Sequence, residues 1–131
     1  MALRVVRLGT PRAADEGLRI GTVRRPPRGV PKAEFAKRDY YDTWLPALSP
    51  EPELMKEAQE AQASGSDKGW SAFIKKFRSQ MNEPDAARLL DLLAALSRQS
   101  HIAIGCYCEH EARCHRSVLR ELLAERGAEI A

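Results

Sequence analysis

The stretch HIAIGCYC, residues 101–108, is short, apolar and almost free of polar residues. Such a run is typical of a β-strand that is covered on both faces, as the interior strands of parallel sheets are. We therefore predict an interior strand over residues 101–107.

Helical periodicity begins soon after this strand, in RSVLRELLAERGAEI, residues 116–130. The large apolar residues share one face of the predicted helix. They are Val118, Leu119, Leu122 and Leu123. The pattern predicts a helix that begins between Glu111 and Ser117 and stops at Gly127, with AEI as a candidate final strand.

Two earlier segments also have the character of strands. They are LRVVRLG, residues 3–9, and LRIGTVRR, residues 18–25, which a proline-rich turn follows. Because strand, loop and helix in sequence form the unit of a parallel sheet, we predict a Rossmann-like α/β fold. Its sheet should be mainly parallel and flanked by helices.

Three helices are predicted between these strands. The first should be capped by Ser49 with Pro50 at its first position, and should end at the linker-like SGSDKG, residues 64–69. The second and third are amphipathic. Their apolar faces comprise Trp70, Phe73, Ile74, Phe77 and Met81, then Ala86, Leu89, Leu92, Leu93 and Leu96.

Composition limits the class of protein. With 131 residues, 44% of them hydrophobic, the chain is expected to form one domain over residues 1–131. It has no run long enough for a membrane span and no signal-peptide pattern, so we expect a cytoplasmic protein without membrane contact. A net charge of +3 suits a local anion site better than a nucleic-acid track, and nucleic-acid binding is not expected.

The loop after the interior strand, CYCEHEARCHRS at residues 106–117, is rich in groups that can do chemistry. It should lie at the carboxyl end of a parallel strand, where ligands bind in open α/β sheets. A helix N-terminus there, together with Arg116 and Ser117, would bind an anion, and Cys108 would lie beside it. Arg24 and Arg28 would face the same crevice if the strand over 18–25 is a neighbour.

The same loop offers a nucleophile. Cys114 is predicted at a helix N-terminus near an arginine and a histidine, all of which lower the pKa of a thiol. His115 falls on the helix face that turns toward the sheet, where it is either a packed inner residue or a base, and Glu109 could be an acid or base. The glycine-containing loop of cysteine phosphatases is absent from this sequence.

A metal centre is the third possibility. Two cysteines and two histidines, Cys108, His110, Cys114 and His115, have a composition that zinc accepts. Their crowding into one short loop differs from the usual paired spacing. We therefore predict no tightly bound zinc and no cofactor.

The sequence resembles a known family in four blocks. These are RIGTVRRPPRGVPKAEF (19–35), YYDTWLPALSPEPELMK (40–56), GWSAFIKKF (69–77) and CYCEHEARCHRSVL (106–119). In this order they resemble the YeaO-like proteins, a branch of the bacterial domain of unknown function 488, and the last block is similar to the wider family's Cys-His-Arg signature.

The resemblance implies a compact α/β domain with a site around Cys108, Glu109 and the Cys114-His115-Arg116 triplet, without naming a reaction. Its Pro-Arg-Gly block falls on residues 27–29. Val23 stands where the YeaO-like pattern has an aspartate, and Pro26 stands where it has a tryptophan.

Three functional hypotheses follow. The first is a site for a small phosphate-bearing or nucleotide-like ligand, with or without an enzymatic step by Cys114 or Glu109. The second is a thiol-redox protein in which Cys108 and Cys114 pair. The third is an interaction module without catalysis, and the sequence leaves the oligomeric state open.

Overall fold

The structure, a computed structural model, describes residues 2–131. Its centre is one parallel sheet of four strands in the order β1-β4-β2-β3. The strands are β1 (Leu3–Arg7), β2 (Leu18–Gly21), β3 (Thr43–Trp44) and β4 (Ile102–Cys106). The predicted α/β class and the interior position of the strand after His101 are both confirmed.

Strand β4 lies at the centre of the sheet and is fully buried. Every residue from Ile102 to Cys106 is buried, because β1 and β2 pair with its two edges and helices cover its faces. Gly105 is required there, since a Cβ atom at this position would lie 2.7 Å from the carbonyl oxygen of Val6. The apolar run in the sequence therefore reflects a strand that no solvent reaches.

Within residues 2–131, four α-helices surround the sheet. They are α1 (Pro52–Ser64), α2 (Asp67–Met81), α3 (Pro84–Ser97) and α4 (His115–Glu125). The predicted start of α4 is confirmed, and its four predicted apolar residues are all buried. The predicted final strand is reduced to one bridge between Leu3 and Ile130.

The predicted start of α1 is wrong. Glu51 rather than Ser49 precedes the first helical turn, and Pro52 rather than Pro50 is its first residue. Ser49 is instead buried, and its carbonyl oxygen accepts hydrogen bonds from Arg24 and Gln80. Tertiary contacts therefore hold this serine in extended backbone before the helix begins.

The linker-like SGSDKG segment is also not a linker. Gly65 ends α1 in the left-handed conformation with φ of 69°, and the Ser66 hydroxyl caps α2 by accepting from the Gly69 N–H at 2.9 Å. Asp67 to Gly69 belong to the helix. The two helices form a tight hairpin that the glycine and serine create.

The apolar face of α3 is narrower than predicted. Leu92 and Leu96 are exposed, at 54% and 36% of their surface. The residues that pack against the core are Ala86, Leu90, Leu93, Ala94 and Ser97. The helix packs against α2 and α4, which cover only part of its surface.

A buried ion pair fixes the loops around β2. Arg19 donates to both carboxylate oxygens of Glu16 at 2.7 and 2.8 Å, and it donates to the carbonyl oxygens of Thr10 and Asp39. Both charged side chains are almost fully buried. The pair thus ties the loop after β1 to the segment that precedes Tyr40.

Candidate functional site

A cleft of about 600 Å³ opens at the carboxyl ends of β2 and β4. Its floor consists of Cys106, Cys108 and His115, which lie at the end of β4, in the following loop and at the start of α4. The topology therefore brings the end of β2 and the cysteine loop to one crevice, as the sequence predicts.

The walls of the cleft are basic and apolar. Arg24, Arg25, Arg28 and Lys56 line it, and no aspartate or glutamate does so. The remaining wall residues are Val23, Pro26, Pro27, Tyr40, Pro52, Met55, Gln59 and Tyr107. A concave surface with several cations and no acidic side chain favours an anionic occupant.

The cations of the cleft differ in their freedom. Arg24 is half-buried and donates to the carbonyl oxygens of Ser49 and Pro50, which fixes the guanidinium against the entrance to α1. Arg25, Arg28 and Lys56 are exposed and form no ion pair with the described carboxylates. Three positive charges therefore remain open to a ligand.

Two of the three thiols lie in contact beneath the cleft. The sulfur atoms of Cys106 and Cys114 are 2.6 Å apart, and each side chain is 1% exposed. Cys106 and the half-buried Cys108 line the cleft, whereas Cys114, the predicted nucleophile, does not, and of the two lining thiols only Cys108 is appreciably exposed. The thiol that a ligand can reach is thus Cys108.

The pKa values of the three thiols shift in different directions. Hydrogen bonds from the thiols of Cys106 and Cys114 lower the pKa of Cys108. The pKa of Cys106 is raised by its hydrogen bonds to Cys108 and Cys114 and by burial. At Cys114 the hydrogen bond with Cys106 favours the thiolate, but the bond to Cys108 and burial outweigh it, so its pKa is also raised. These shifts favour a thiolate at Cys108 over one at Cys106 or Cys114.

His115 is held in one tautomer. Its Nε2 lies 2.7 Å from the carbonyl oxygen of Thr22, and because a carbonyl only accepts, Nε2 carries the proton. Nδ1 is then free to accept and lies 3.8 Å from the sulfur of Cys114. Burial lowers the pKa of the imidazole, which packs edge-on against Phe77, so the ring is neutral at pH 7.

A possible set of metal ligands differs from the one considered from sequence. The donor atoms of Cys106, Cys114 and His115 lie within 4.8 Å of one another. His110 is exposed and takes no part in this set. Cys106 was predicted only as a buried strand residue, and the sequence contains no spacing motif that distinguishes it from Cys108.

Arg116 is buried, at 4% exposure, although its place in the first turn predicts contact with an anion or a carboxylate. Its Nη2 donates to the carbonyl oxygen of Cys108 at 2.7 Å, and its Nε has no hydrogen-bond partner. Two candidates for a neutralising carboxylate bind other arginines, since Glu111 pairs with Arg120 and Asp42 pairs with Arg12. Arg116 thus fixes the backbone that carries the Cys108 thiol.

Two further predicted residues lie apart from the cleft lining. The Ser117 hydroxyl donates to the carbonyl oxygen of Cys114 at 2.8 Å, which closes the first turn of α4. Glu109 is exposed at the outer side of the loop. Of the predicted site residues, the cleft is lined by Arg24, Arg28, Cys108 and His115.

The helical hairpin holds the cysteine loop in place. The Arg113 guanidinium binds the Asp67 carboxylate, donates to the Ser66 carbonyl oxygen at 3.1 Å and lies 5.9 Å from the centre of the Trp70 ring. The Gln62 amide donates to the carbonyl oxygen of Arg113. Sequence reasoning missed these contacts, because they join residues about fifty positions apart without a local pattern.

The fold and this site define the class of the protein: an α/β domain with a basic cleft and a cysteine-histidine floor at the carboxyl edge of its parallel sheet. The family model DUF488-N3a, described as the active DUF488-N3 subclade, matches residues 3–127. The chain belongs to this family, which confirms the resemblance to the DUF488 proteins.

No curated protein and no solved structure matches the chain. Among the helices of residues 2–131, none combines the length and apolarity that crossing a membrane requires.

Proposed function

We propose that the protein binds a small anionic, nucleotide-like molecule in the basic cleft and acts on it through the Cys108 thiolate. The observation that carries the proposal is the lining of the cleft by four cations and no carboxylate. Charge-assisted hydrogen bonds from such groups contribute about 1.5 to 3 kcal/mol each. Arg25, Arg28 and Lys56 supply them without first breaking an internal ion pair.

The rest of the lining suits a ligand that also has a flat apolar part. Tyr40 and Tyr107 lie edge to face with their ring centres 6.3 Å apart, and Pro26, Pro27 and Met55 add apolar surface. Tyr107 is fixed because its hydroxyl donates to the carbonyl oxygen of Arg25 at 2.8 Å. A base or another ring bearing a phosphate would use both kinds of surface.

An enzymatic step would use the thiol that faces this ligand. The thiolate is the nucleophilic form of cysteine, and the low pKa of Cys108 provides it at neutral pH. We assign supporting roles to Cys114, whose sulfur contacts that of Cys106, and to His115, whose Nδ1 lies 3.8 Å from the sulfur of Cys114 and can accept its proton. The description of the matching subclade as active agrees with an enzyme. Glu109 retains a role only if ligand binding draws it toward the cleft.

The binding test uses AMP, adenosine and inorganic phosphate as probes, with backbone amide NMR shifts as the readout. AMP should shift the amides around Arg25, Arg28 and Tyr107, and adenosine should bind more weakly because it lacks the charge. The double variant Arg25→Gln/Arg28→Gln should weaken AMP binding at least tenfold, since one charge-assisted bond is enough for that change.

A matched control is Lys68→Gln/Lys75→Gln, which removes the same charge from exposed positions outside the cleft lining. It should leave AMP affinity within about twofold, because exposed charges at a distance are screened by salt. If neither AMP nor phosphate shifts any cleft amide, or if both double variants weaken binding equally, the anion site is rejected.

The nucleophile is tested separately by alkylation with iodoacetamide. Cys108 should react at pH 6 to 7 at nearly its full rate, whereas an ordinary thiol reacts about tenfold more slowly for each pH unit below its pKa of about 8.5. Cys108→Ser should abolish this fast reaction. A rate that rises tenfold per unit up to pH 8.5 would contradict the assignment.

A further inference from the structure

We propose that Cys106 and Cys114 are an oxidation site, which a low-molecular-weight disulfide such as oxidised glutathione reaches through Cys108. The product is a disulfide between Cys106 and Cys114. The proposal does not depend on the anionic ligand, because it concerns the thiols alone.

The distance between the two sulfur atoms supports a disulfide. At 2.6 Å they need to approach by only about 0.5 Å to reach the length of an S–S bond, about 2.05 Å. A zinc ion with Zn–S bonds of about 2.3 Å would instead hold two sulfurs about 3.8 Å apart in tetrahedral geometry. The contact therefore favours oxidation over metal binding at the same residues.

The burial of the pair determines how an oxidant can act on it. Cys106 and Cys114 are each 1% exposed, so a small disulfide cannot meet either sulfur directly. Cys108 lines the cleft, is partly exposed and lies two residues from Cys106 in the loop that leads to Cys114. Of the three thiols, it is the one that is partly exposed, and so it is the one that an oxidant meets first.

The oxidation proceeds by three exchanges. The Cys108 thiolate attacks one sulfur of the small disulfide, whose S–S bond breaks and releases one thiolate. Cys114 passes its proton to Nδ1 of His115 and attacks the sulfur of Cys108, which releases the second small thiolate. Cys106 then attacks the sulfur of Cys114, and Cys108 leaves as the thiolate.

Electrons and protons balance over these steps. The two protein thiols lose two electrons, and the small disulfide gains them and becomes two thiols. The two protons that leave Cys106 and Cys114 end on the two released thiolates. Cys108 is unchanged at the end, so it serves as the entry point rather than as part of the product.

The experiment treats the full chain with oxidised glutathione under anaerobic conditions and maps the products by mass spectrometry without reduction. Trypsin cleaves after Arg98, Arg113 and Arg116, so Cys106 and Cys108 fall in residues 99–113 and Cys114 falls in residues 114–116. A disulfide from Cys114 to either Cys106 or Cys108 joins these two peptides, whereas one from Cys106 to Cys108 stays within the first. Iodoacetamide added before digestion marks the free thiol, and fragmentation of the joined peptides locates the mark. We expect the joined peptides with the mark on Cys108, and a mark on Cys106 would overturn the proposal.

Variants identify the route. Cys108→Ser should slow formation of the joined peptides at least tenfold, whereas Cys106→Ala should stop the exchange at a disulfide between Cys108 and Cys114. Cys106→Val fills more of the buried space and repeats the test if the alanine variant unfolds by circular dichroism. Three free thiols after treatment, glutathione retained on Cys108 in the natural sequence, or equal rates with and without Cys108 would each overturn the proposal.

Discussion

The ion pair between Arg19 and Glu16 should be a main source of stability for the segments around the cleft. We consider Arg19→Met, which keeps the apolar stem and removes the charge. It strands a Glu16 carboxylate that is 3% exposed and removes the donor to the carbonyl oxygens of Thr10 and Asp39. Because breaking a buried pair leaves an uncompensated charge, we expect the free energy of unfolding to fall by about 3–5 kcal/mol.

Lys76→Met is the matched control. Lys76 and Glu57 also pair at 2.7 Å, but both side chains are largely exposed. A surface pair contributes about 0–1 kcal/mol, so this variant should lose less than 1 kcal/mol. Since the two pairs have the same separation, the difference between the variants measures the effect of burial.

Urea unfolding followed by far-ultraviolet circular dichroism measures both variants. A third variant, Glu16→Leu/Arg19→Met, removes both charges and should lose less stability than Arg19→Met alone, because no carboxylate is left unpaired. The reasoning fails if Arg19→Met costs no more than Lys76→Met, or if the double variant is the least stable.

Three further predictions concern pH, metal content and backbone conformation. Burial alone would raise the pKa of Glu16, but hydrogen bonds from Arg19 lower it, and burial lowers the pKa of His115. In both cases the unfolded chain binds more protons than the folded chain as pH falls, so the folded state loses stability. Urea midpoints should decrease below about pH 6.5 because of His115, and again below about pH 5 because of Glu16. His115→Gln should remove the decrease that begins near pH 6.5. Elemental analysis of protein purified without chelator should find well under one zinc per chain, and stoichiometric zinc released by a thiol-blocking reagent would contradict this. In urea unfolding, Gly17→Ala should be more destabilising than Gly65→Ala. Both glycines have positive φ, but a Cβ atom at Gly17 would overlap the carbonyl oxygen of His101, whereas the space at Gly65 is open. Equal losses of about 1–3 kcal/mol, the cost of the positive φ alone, would refute this prediction.

The parts of the fold that depend on local periodicity could be predicted from the sequence. The apolar run from Ile102 and the leucine pattern after Val118 give β4 and α4, because burial on both faces or on one face leaves a visible period. The start of α1 could not be found in this way. Ser49 has the chemistry of a cap, but Arg24 and Gln80 bind its carbonyl oxygen from elements distant in sequence.

In the candidate site, too, the features that follow from topology could be predicted, whereas those that depend on exact positions could not. The convergence of Arg24 and Arg28 with the cysteine loop follows from parallel topology, and the structure brings all of them to the cleft. The thiol that faces the cleft depends on where β4 ends, and a difference of one or two residues in that end leaves no periodic signal in the sequence. Arg116 satisfies the rule that a cation at a helix N-terminus needs a partner, but its partner is a backbone carbonyl that sequence cannot indicate.

The stacking of Arg113 over Trp70 gives the cysteine loop an intrinsic optical reporter. Trp70 is 9% exposed, and the centre of its ring lies 5.9 Å from the Arg113 guanidinium of the loop. The other tryptophan, Trp44, is 41% exposed on the edge strand. Emission from a buried indole lies at shorter wavelength than emission from a solvated one, so the two signals are separable, and Trp44→Phe would isolate the first. Departure of the loop from the helical hairpin would remove the cation from the ring and admit water to it. The movement of the residues that carry Cys108 could therefore be followed in real time without attaching a dye to any of the three thiols.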